Sequence, residues 1–291
     1  MNSIADALAA AAALAPDGRG RFAAPPVLQS WPGIVHGGGL VAILDAATRA
    51  LGVPAAPRML EGRITSSVPV VTALSLEGGA REGGASVTIL QDGQILSSAS
   101  VSLLGPDATA VPAAWRGGHA GVTLPMSEDC LACGSRNPLG LQTALSFDDE
   151  GVWARVEPGV PWRTGAALHD ALAPVLLDEV AWWLGALTMR EGGLTNRIQV
   201  TLHRSALPAG GPLLALGRFA DVTPIDRRRT FWRTACGLFD AERAPLASAV
   251  VVFRGGTDYS VRQIPYFRER TTAAAFARMF PNYCDGVSPA G

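Results

Sequence analysis

Two short stretches of the 291-residue chain combine a histidine, an apparent helix start and an aspartate nine residues further on. The first runs Gly33-Ile34-Val35-His36-Gly37-Gly38-Gly39-Leu40 and reaches Asp45; the second runs Ala166-Ala167-Leu168-His169-Asp170-Ala171-Leu172 and reaches Asp178. Free N–H groups at a helix start, together with the positive end of its dipole, can hold an oxyanion formed at an acyl carbonyl. Glycines there let that carbonyl come close to the backbone. A carboxylate nearby can activate water or attack directly. Nine residues along one helix rotate half a turn and advance about 13 Å, so Asp45 cannot serve the loop at the head of its own helix. In a pseudo-twofold arrangement each aspartate would serve the other loop, pairing His36-Gly37-Gly38 with Asp178 and His169 with Asp45. Burial beside Trp182 and Trp183 would raise the Asp178 pKa toward that of a useful base.

The two stretches belong to a longer internal repeat. A shift of 133 residues places His36 on His169, Leu44 on Leu177, Asp45 on Asp178, Leu51 on Leu184 and Gly52 on Gly185. One residue out of step, Arg63-Ile64 meets Arg197-Ile198, and Ile95-Leu96-Ser97-Ser98-Ala99 resembles Pro245-Leu246-Ala247-Ser248-Ala249. Each copy opens with a helix whose apolar stripe has the spacing of a buried face, Leu40, Leu44, Ala47 and Leu51 in one and Ala173, Leu177, Val180 and Leu184 in the other. Strands are expected over Ile64–Leu76, Ala85–Gln91 and Gln94–Leu104, then over Arg197–Arg204, Pro212–Val222, Thr230–Phe239 and Leu246–Arg254. Asp92-Gly93 between two such runs signals a hairpin. A helix followed by antiparallel strands implies an α+β fold in which the sheet wraps the helix. The expected organisation is a first domain at 1–105 with a leading helix, a linker at 106–125, a second domain at 126–256 and a C-terminal extension at 257–291. Thr271–Met279 is expected to be helical.

Composition narrows the chemistry. All 24 basic residues are arginine, so Schiff-base formation, a lysine base and a P-loop lysine are excluded. A net charge of −1 with 17% charged and 48% hydrophobic residues excludes a long disordered chain and a polybasic nucleic-acid binder. Four cysteines do not suggest a disulfide scaffold. No apolar run reaches the roughly 18 residues of a membrane helix. The Ala-rich start lacks a basic region and is interrupted by Asp6, so a cytoplasmic protein with no membrane partner is expected. Cys130-x-x-Cys133 has the spacing of half a zinc site, but no second pair follows, and His119 and His203 stand alone; no metal is expected. Arg227-Arg228-Arg229 reads as a solvated turn or, with Arg197, as a phosphate contact.

The pattern Gly33-Ile-Val-His36-Gly37-Gly38 followed by Leu44-Asp45 resembles the hotdog-fold acyl-CoA thioesterases of the phenylacetate-pathway type. Cys130-Leu-Ala-Cys133-Gly134 with Asn137-Pro138-Leu139-Gly140-Leu141 resembles the opening of many members of that family. The duplicated chain is similar to the double-hotdog acyl-CoA thioesterase II group over roughly residues 25–105 and 130–255. The resemblance implies a tandem hotdog, each half an antiparallel sheet wrapped around a central helix. It also implies hydrolysis of an acyl-CoA or acyl-carrier-protein thioester, no cofactor beyond the coenzyme A of the substrate, and pairing of such chains into homo-oligomers.

Placed on this chain, the resemblance implies Gly37 as the oxyanion amide with Gly38 beside it, and Asp178 as the acid from the other half. Ser30, with Gln29 adjacent, takes the upstream polar position, and Thr195 or Asn196 helps to hold water. His36 is expected to orient the glycine loop, and Trp182 to wall the pocket. The second copy departs from the pattern with Asp170 and Ala171 in place of the glycines and Arg163 upstream, so the His169–Asp45 site is expected to be degenerate. A late glutamine of the thioesterase II group falls on Val251. Two other readings stay open: a hotdog hydratase or dehydratase, although no Asn-Pro-x-His loop is present, and a silent acyl-binding protein.

Overall fold

The computed structural model describes residues 2–55, 57–104 and 121–284. The first half begins with helix α1 (Ile4–Ala11), capped by Ser3, and strands β1 (Ala12–Leu14) and β2 (Arg19–Phe22). Helix α2 (Gly37–Thr48) follows, then β3 (Arg58–Ile64), β4 (Leu74–Arg81), β5 (Gly84–Gln91) and β6 (Gln94–Leu103). Leu40, Leu44 and Ala47 of α2 are buried under these strands. Asp92 and Gly93 both take positive φ, 49° and 79°, the geometry of a two-residue hairpin turn that matches strand twist.

In the second half come β7 (Val122–Thr123), β8 (Leu145–Phe147), β9 (Gly151–Val156), β10 (Arg163–Thr164) and β11 (Ala167–Leu168). Helix α3 (Leu172–Met189) is followed by β12 (Gly193–Leu202), β13 (Leu207–Pro208), β14 (Leu213–Arg218) and β15 (Thr223–Pro224). The long strands β16 (Phe231–Phe239) and β17 (Pro245–Gly255) complete the sheet. All four stripe residues of α3 are fully buried. Helices α4 (Thr257–Arg268) and α5 (Ala273–Met279) end the described chain.

One antiparallel sheet runs through both halves in the order β1-β2-β4-β5-β6-β3-β12-β17-β16-β14-β9-β8-β7. The seam is the pairing of β3 with β12, from Arg63 opposite Arg197 to Arg58 opposite Leu202. Each half of the sheet wraps its own helix, and α2 and α3 pack side by side across the seam. This is the tandem hotdog arrangement. It brings the start of each helix against the flank of the other, which decides where the site lies.

Several expectations are corrected. The strand expected over Ile64–Leu76 is two strands separated by an irregular stretch, because Val68 and Val70 bond instead to Val35 and Gly33 ahead of α2. Part of the expected linker, Val122–Thr123, is the edge strand β7, while residues 106–120, with His119, lie outside the described residues. Helix α4 was not anticipated from the sequence at all. Helix α3 has 18 residues with a mean hydropathy of 1.3, so by length and composition it could cross a membrane, contrary to the expectation of no such run. Its apolarity is accounted for by the fold, which buries 72% of it.

Candidate active site

His36 caps α2: the Gly39 N–H donates to its Nδ1 at 3.2 Å. Its other ring nitrogen, Nε2, lies 3.3 Å from Glu179 Oε2. Burial alone would pull the His36 pKa down, but Cys130, Glu179 and Asp178 outweigh it and raise it well above the ordinary value. The cap opposes that pull, because an imidazolium has no lone pair for Gly39. A ring that keeps its cap therefore carries its proton on Nε2, toward Glu179.

Asp178 projects from α3 onto the start of α2. The Gly38 N–H donates to its Oδ2 at 2.7 Å, and the Thr195 hydroxyl donates to its Oδ1 at 2.6 Å. A side chain at Gly38 would collide with the Pro174 carbonyl, and a Cβ on Gly37 would stand 2.7 Å from Asp178 Oδ2. The glycines are what allow the two helices to close on each other here. The first N–H of α2, that of Gly37, has no acceptor among the described residues. Burial raises the Asp178 pKa, while His36, Thr195 and Gly38 pull it back only in part.

A cavity of about 840 Å³, counted with its open mouth, lies over this pair. Gly37, Asp178 and Thr195 form part of its wall, and Trp31, Trp182, Trp183 and Phe267 supply aromatic surface. Trp182 is fixed by a bond from its Nε1 to the Gly193 carbonyl at 2.9 Å. Helix α4 brings Tyr266 and Phe267, which pack edge-on against Trp31 at 5.1 and 5.3 Å. It is anchored by Gln263, which exchanges two bonds with the Gly193 backbone. Cys130, Cys133 and Glu179 line the same cavity. The Cys130 thiol is pulled down to about 6, chiefly by a hydrogen bond from Cys133 and also by His36, whereas Cys133 is pushed up. Nothing local marks Glu179 as a site residue, whereas the Pro265-Tyr266-Phe267 triplet in the C-terminal extension is a signal for the two aromatic residues.

The second helix start is filled. Arg58, fully buried, donates from Nε to Asp45 Oδ1 at 2.9 Å and from its terminal nitrogen to Asp170 Oδ2 at 2.6 Å. Arg49 adds a contact to Asp170 at 3.2 Å. His169 Nδ1 accepts the Ala171 N–H, a bond that ends one residue before α3 and so does not cap it. Asp45, expected to do chemistry in the second site, is thus held by a guanidinium and does not line the cavity that holds Asp178.

The remaining expectations divide. Ser30 lines the cavity, whereas the Gln29 side chain closes a turn by accepting the Gly33 N–H at 3.0 Å. Of Thr195 and Asn196, Thr195 reaches Asp178; Asn196 sits at a bulge and donates to the Ile64 carbonyl at 3.2 Å. Arg197 pairs with Glu61 on the outer face of the sheet. Arg227, Arg228 and Arg229 are exposed on the turn before β16, and none lines the cavity. Arg63, Arg197, Ile225 and Phe231 instead share a shallow groove beside that turn.

No family model and no curated protein matches the chain. Solved structures do. A hot dog fold protein of unknown function from Alicyclobacillus acidocaldarius has a TM-score of 0.60 at 14% identity, covering 87% of this chain and 97% of its own. The acyl-CoA thioesterase II TesB2 from Mycobacterium marinum has a TM-score of 0.59 at 12% identity, covering 87% and 98%. The dehydratase domain of RzxB from Pseudomonas fluorescens has a TM-score of 0.56 at 22% identity, covering 84% and 96%. At these identities the likeness establishes the hotdog fold, which hosts more than one chemistry.

Proposed function

We propose that the cavity binds an acyl thioester of coenzyme A or an acyl-carrier protein and that the chain hydrolyses it. The observation that carries this reading is the Asp178 carboxylate of one half seated on the glycine helix start of the other, beside an aromatic cavity. In the proposed step Asp178 takes a proton from water as the water oxygen bonds to the thioester carbon. The carbonyl oxygen becomes an oxyanion facing the Gly37 N–H. The carbon–sulfur bond then breaks, and the leaving thiolate takes the proton from Asp178. Thr195 holds the carboxylate in place and His36 holds the loop. The raised Asp178 pKa suits a base that must accept and return a proton near neutrality.

For the coenzyme A phosphates we propose the groove at Arg63 and Arg197, with the Arg227–Arg229 turn as its rim. Arg63 and Arg197 lie on the same paired strands as the cavity residues Ile64 and Thr195. The test is release of free coenzyme A from a panel of acyl-CoAs, followed by chromatography. Asp178→Asn is expected to lower turnover by about 10²–10⁴, the usual scale for losing a positioned base. Turnover unchanged in Asp178→Asn would overturn the reading.

One observation favours a second reading. His36 Nδ1 lies 3.5 Å from Asp178 Oδ2, a histidine–aspartate pair drawn from the two halves. Such a pair could take the α-proton of a 3-hydroxyacyl thioester and protonate its departing hydroxyl. Formation of the enoyl product from 3-hydroxybutyryl-CoA, without release of coenzyme A, would select this dehydratase chemistry over hydrolysis.

A further inference from the structure

Cys130 and Glu179 have no task in the hydrolytic step, yet both stand close to His36. The donor atoms of His36, Cys130 and Glu179 all lie within 4.8 Å of one another. Nε2 stands 3.3 Å from Glu179 Oε2, and Cys130 Sγ stands 3.9 Å from the same oxygen. These separations are long for hydrogen bonds, since a charge-assisted N–H···O bond closes to about 2.7–2.9 Å. They suit the edges of a tetrahedron around an ion. Zinc bonds of roughly 2.0–2.3 Å to nitrogen, oxygen and sulfur put neighbouring ligand atoms about 3.3–3.8 Å apart. Cys133 lines the same cavity but stands outside this group of three.

The turn carrying the cysteines is built to present sulfur. The Ala132 N–H points at Cys130 Sγ at 3.4 Å, and the Ser127 N–H points at Cys133 Sγ at 3.5 Å. The backbone donor aimed at Cys130 favours its thiolate, the ligand form. Any side chain at Gly134 would strike the Cys130 backbone, so the turn closes only with glycine there. His36, Cys130 and Cys133 are each under 5% exposed, and both thiols are free.

We infer that His36, Cys130 and Glu179 form a three-ligand site for a soft divalent cation of the zinc class, with the fourth position left to solvent in the cavity. A thiolate and an imidazole select against magnesium and calcium. The ion would tie the Cys130–Cys133 turn to the start of α2 and to α3, bracing the cavity wall rather than acting on substrate. With Nε2 on the ion, the ring proton moves to Nδ1. That nitrogen lies 3.5 Å from Asp178 Oδ2, and the Gly39 cap is given up. Spacing alone gives only the two cysteines; Glu179 lies 49 residues from Cys130 and 143 from His36.

The test uses the full chain, reduced and stripped with a chelator, then titrated with cobalt(II) chloride and zinc chloride separately. One cobalt per chain is expected, with tetrahedral visible bands and a thiolate-to-cobalt charge-transfer band that zinc displaces. Glu179→Gln is expected to weaken zinc binding at least about 10-fold, and Cys130→Ser to abolish the charge-transfer band, whereas Cys133→Ser should keep it. The native chain decides the matter even where a variant fails to fold. Absence of the band, an octahedral spectrum, or a Cys130–Cys133 disulfide in chain isolated under reducing conditions would each overturn the site. Ion binding is read without substrate, so it stands or falls apart from thioester hydrolysis.

Discussion

At the start of α2 a glycine N–H meets Asp178 with a cavity alongside; at the start of α3 the matching space between Asp170 and Asp45 holds the Arg58 guanidinium. A histidine precedes both helices, capping only α2, and both starts face a carboxylate from the neighbouring helix. The outcome turns on one residue. Where α2 has Gly37, α3 has Asp170, which sets a negative charge against the place an oxyanion would occupy. A buried and a half-buried carboxylate then require a cation, and Arg58 from β3 supplies it. One helix start stays receptive to an anion, while the other becomes an ion cluster that cross-links α2, α3 and β3.

The comparison is broken most sharply at the two cationic and anionic centres. Arg58→Leu leaves Asp45 and Asp170 without their main partner. A loss of about 3–5 kcal/mol in unfolding free energy is expected, measured by urea titration. Asp45→Asn in the same background should recover part of that loss, because it removes one uncompensated charge; a double-mutant cycle showing simple additivity would mean that Arg58 does not act through Asp45. On the open side the expected loss is of turnover rather than stability. Thr195→Val removes the hydroxyl bond to Asp178, and bonds to charged groups are worth about 1.5–3 kcal/mol, so turnover should fall roughly 10–100-fold. Thr195→Ser, which keeps the hydroxyl, should restore most of it.

What could be read in the sequence was local. The stripes Leu40-Leu44-Ala47 and Ala173-Leu177-Val180-Leu184 follow helical periodicity, and Asp92-Gly93 marks its turn by residue type alone. Helix geometry also separates His36 from Asp45, which is why Asp178 could be considered for the first loop. Arg58 was invisible for the opposite reason: its partners lie 13 and 112 residues away, and nothing local distinguishes it from a surface arginine. Glu179 was hidden beside Asp178, although the 100° step between them turns it from the glycine loop toward His36 and Cys130. Residues Ile64–Leu76 looked like one strand because β-branched residues continue through Val68, Val70 and Val71. Only the tertiary pairing with the segment before α2 interrupts them.

The smallest effect separates the two helix starts by pH. Burial alone would raise the Asp170 pKa, but the charge and hydrogen bond of Arg58, with His169 and Arg49, hold it below the usual carboxylate value. A carboxylate depressed in the fold contributes stability that is complete above its unfolded pKa, near 3.9, and disappears as pH falls through the folded value. His169 works in the same direction. Burial lowers its pKa, so the folded state resists protonation that the unfolded chain accepts below about 6.5. Acid therefore loosens the filled helix start in two stages, first through His169 and then through Asp170. Unfolding free energy measured from pH 7 to pH 3 should decline more gently in Asp170→Asn than in the native chain below pH 4, and more gently in His169→Gln between pH 7 and pH 5. Identical slopes in all three chains would show that the cluster is not what acid dismantles.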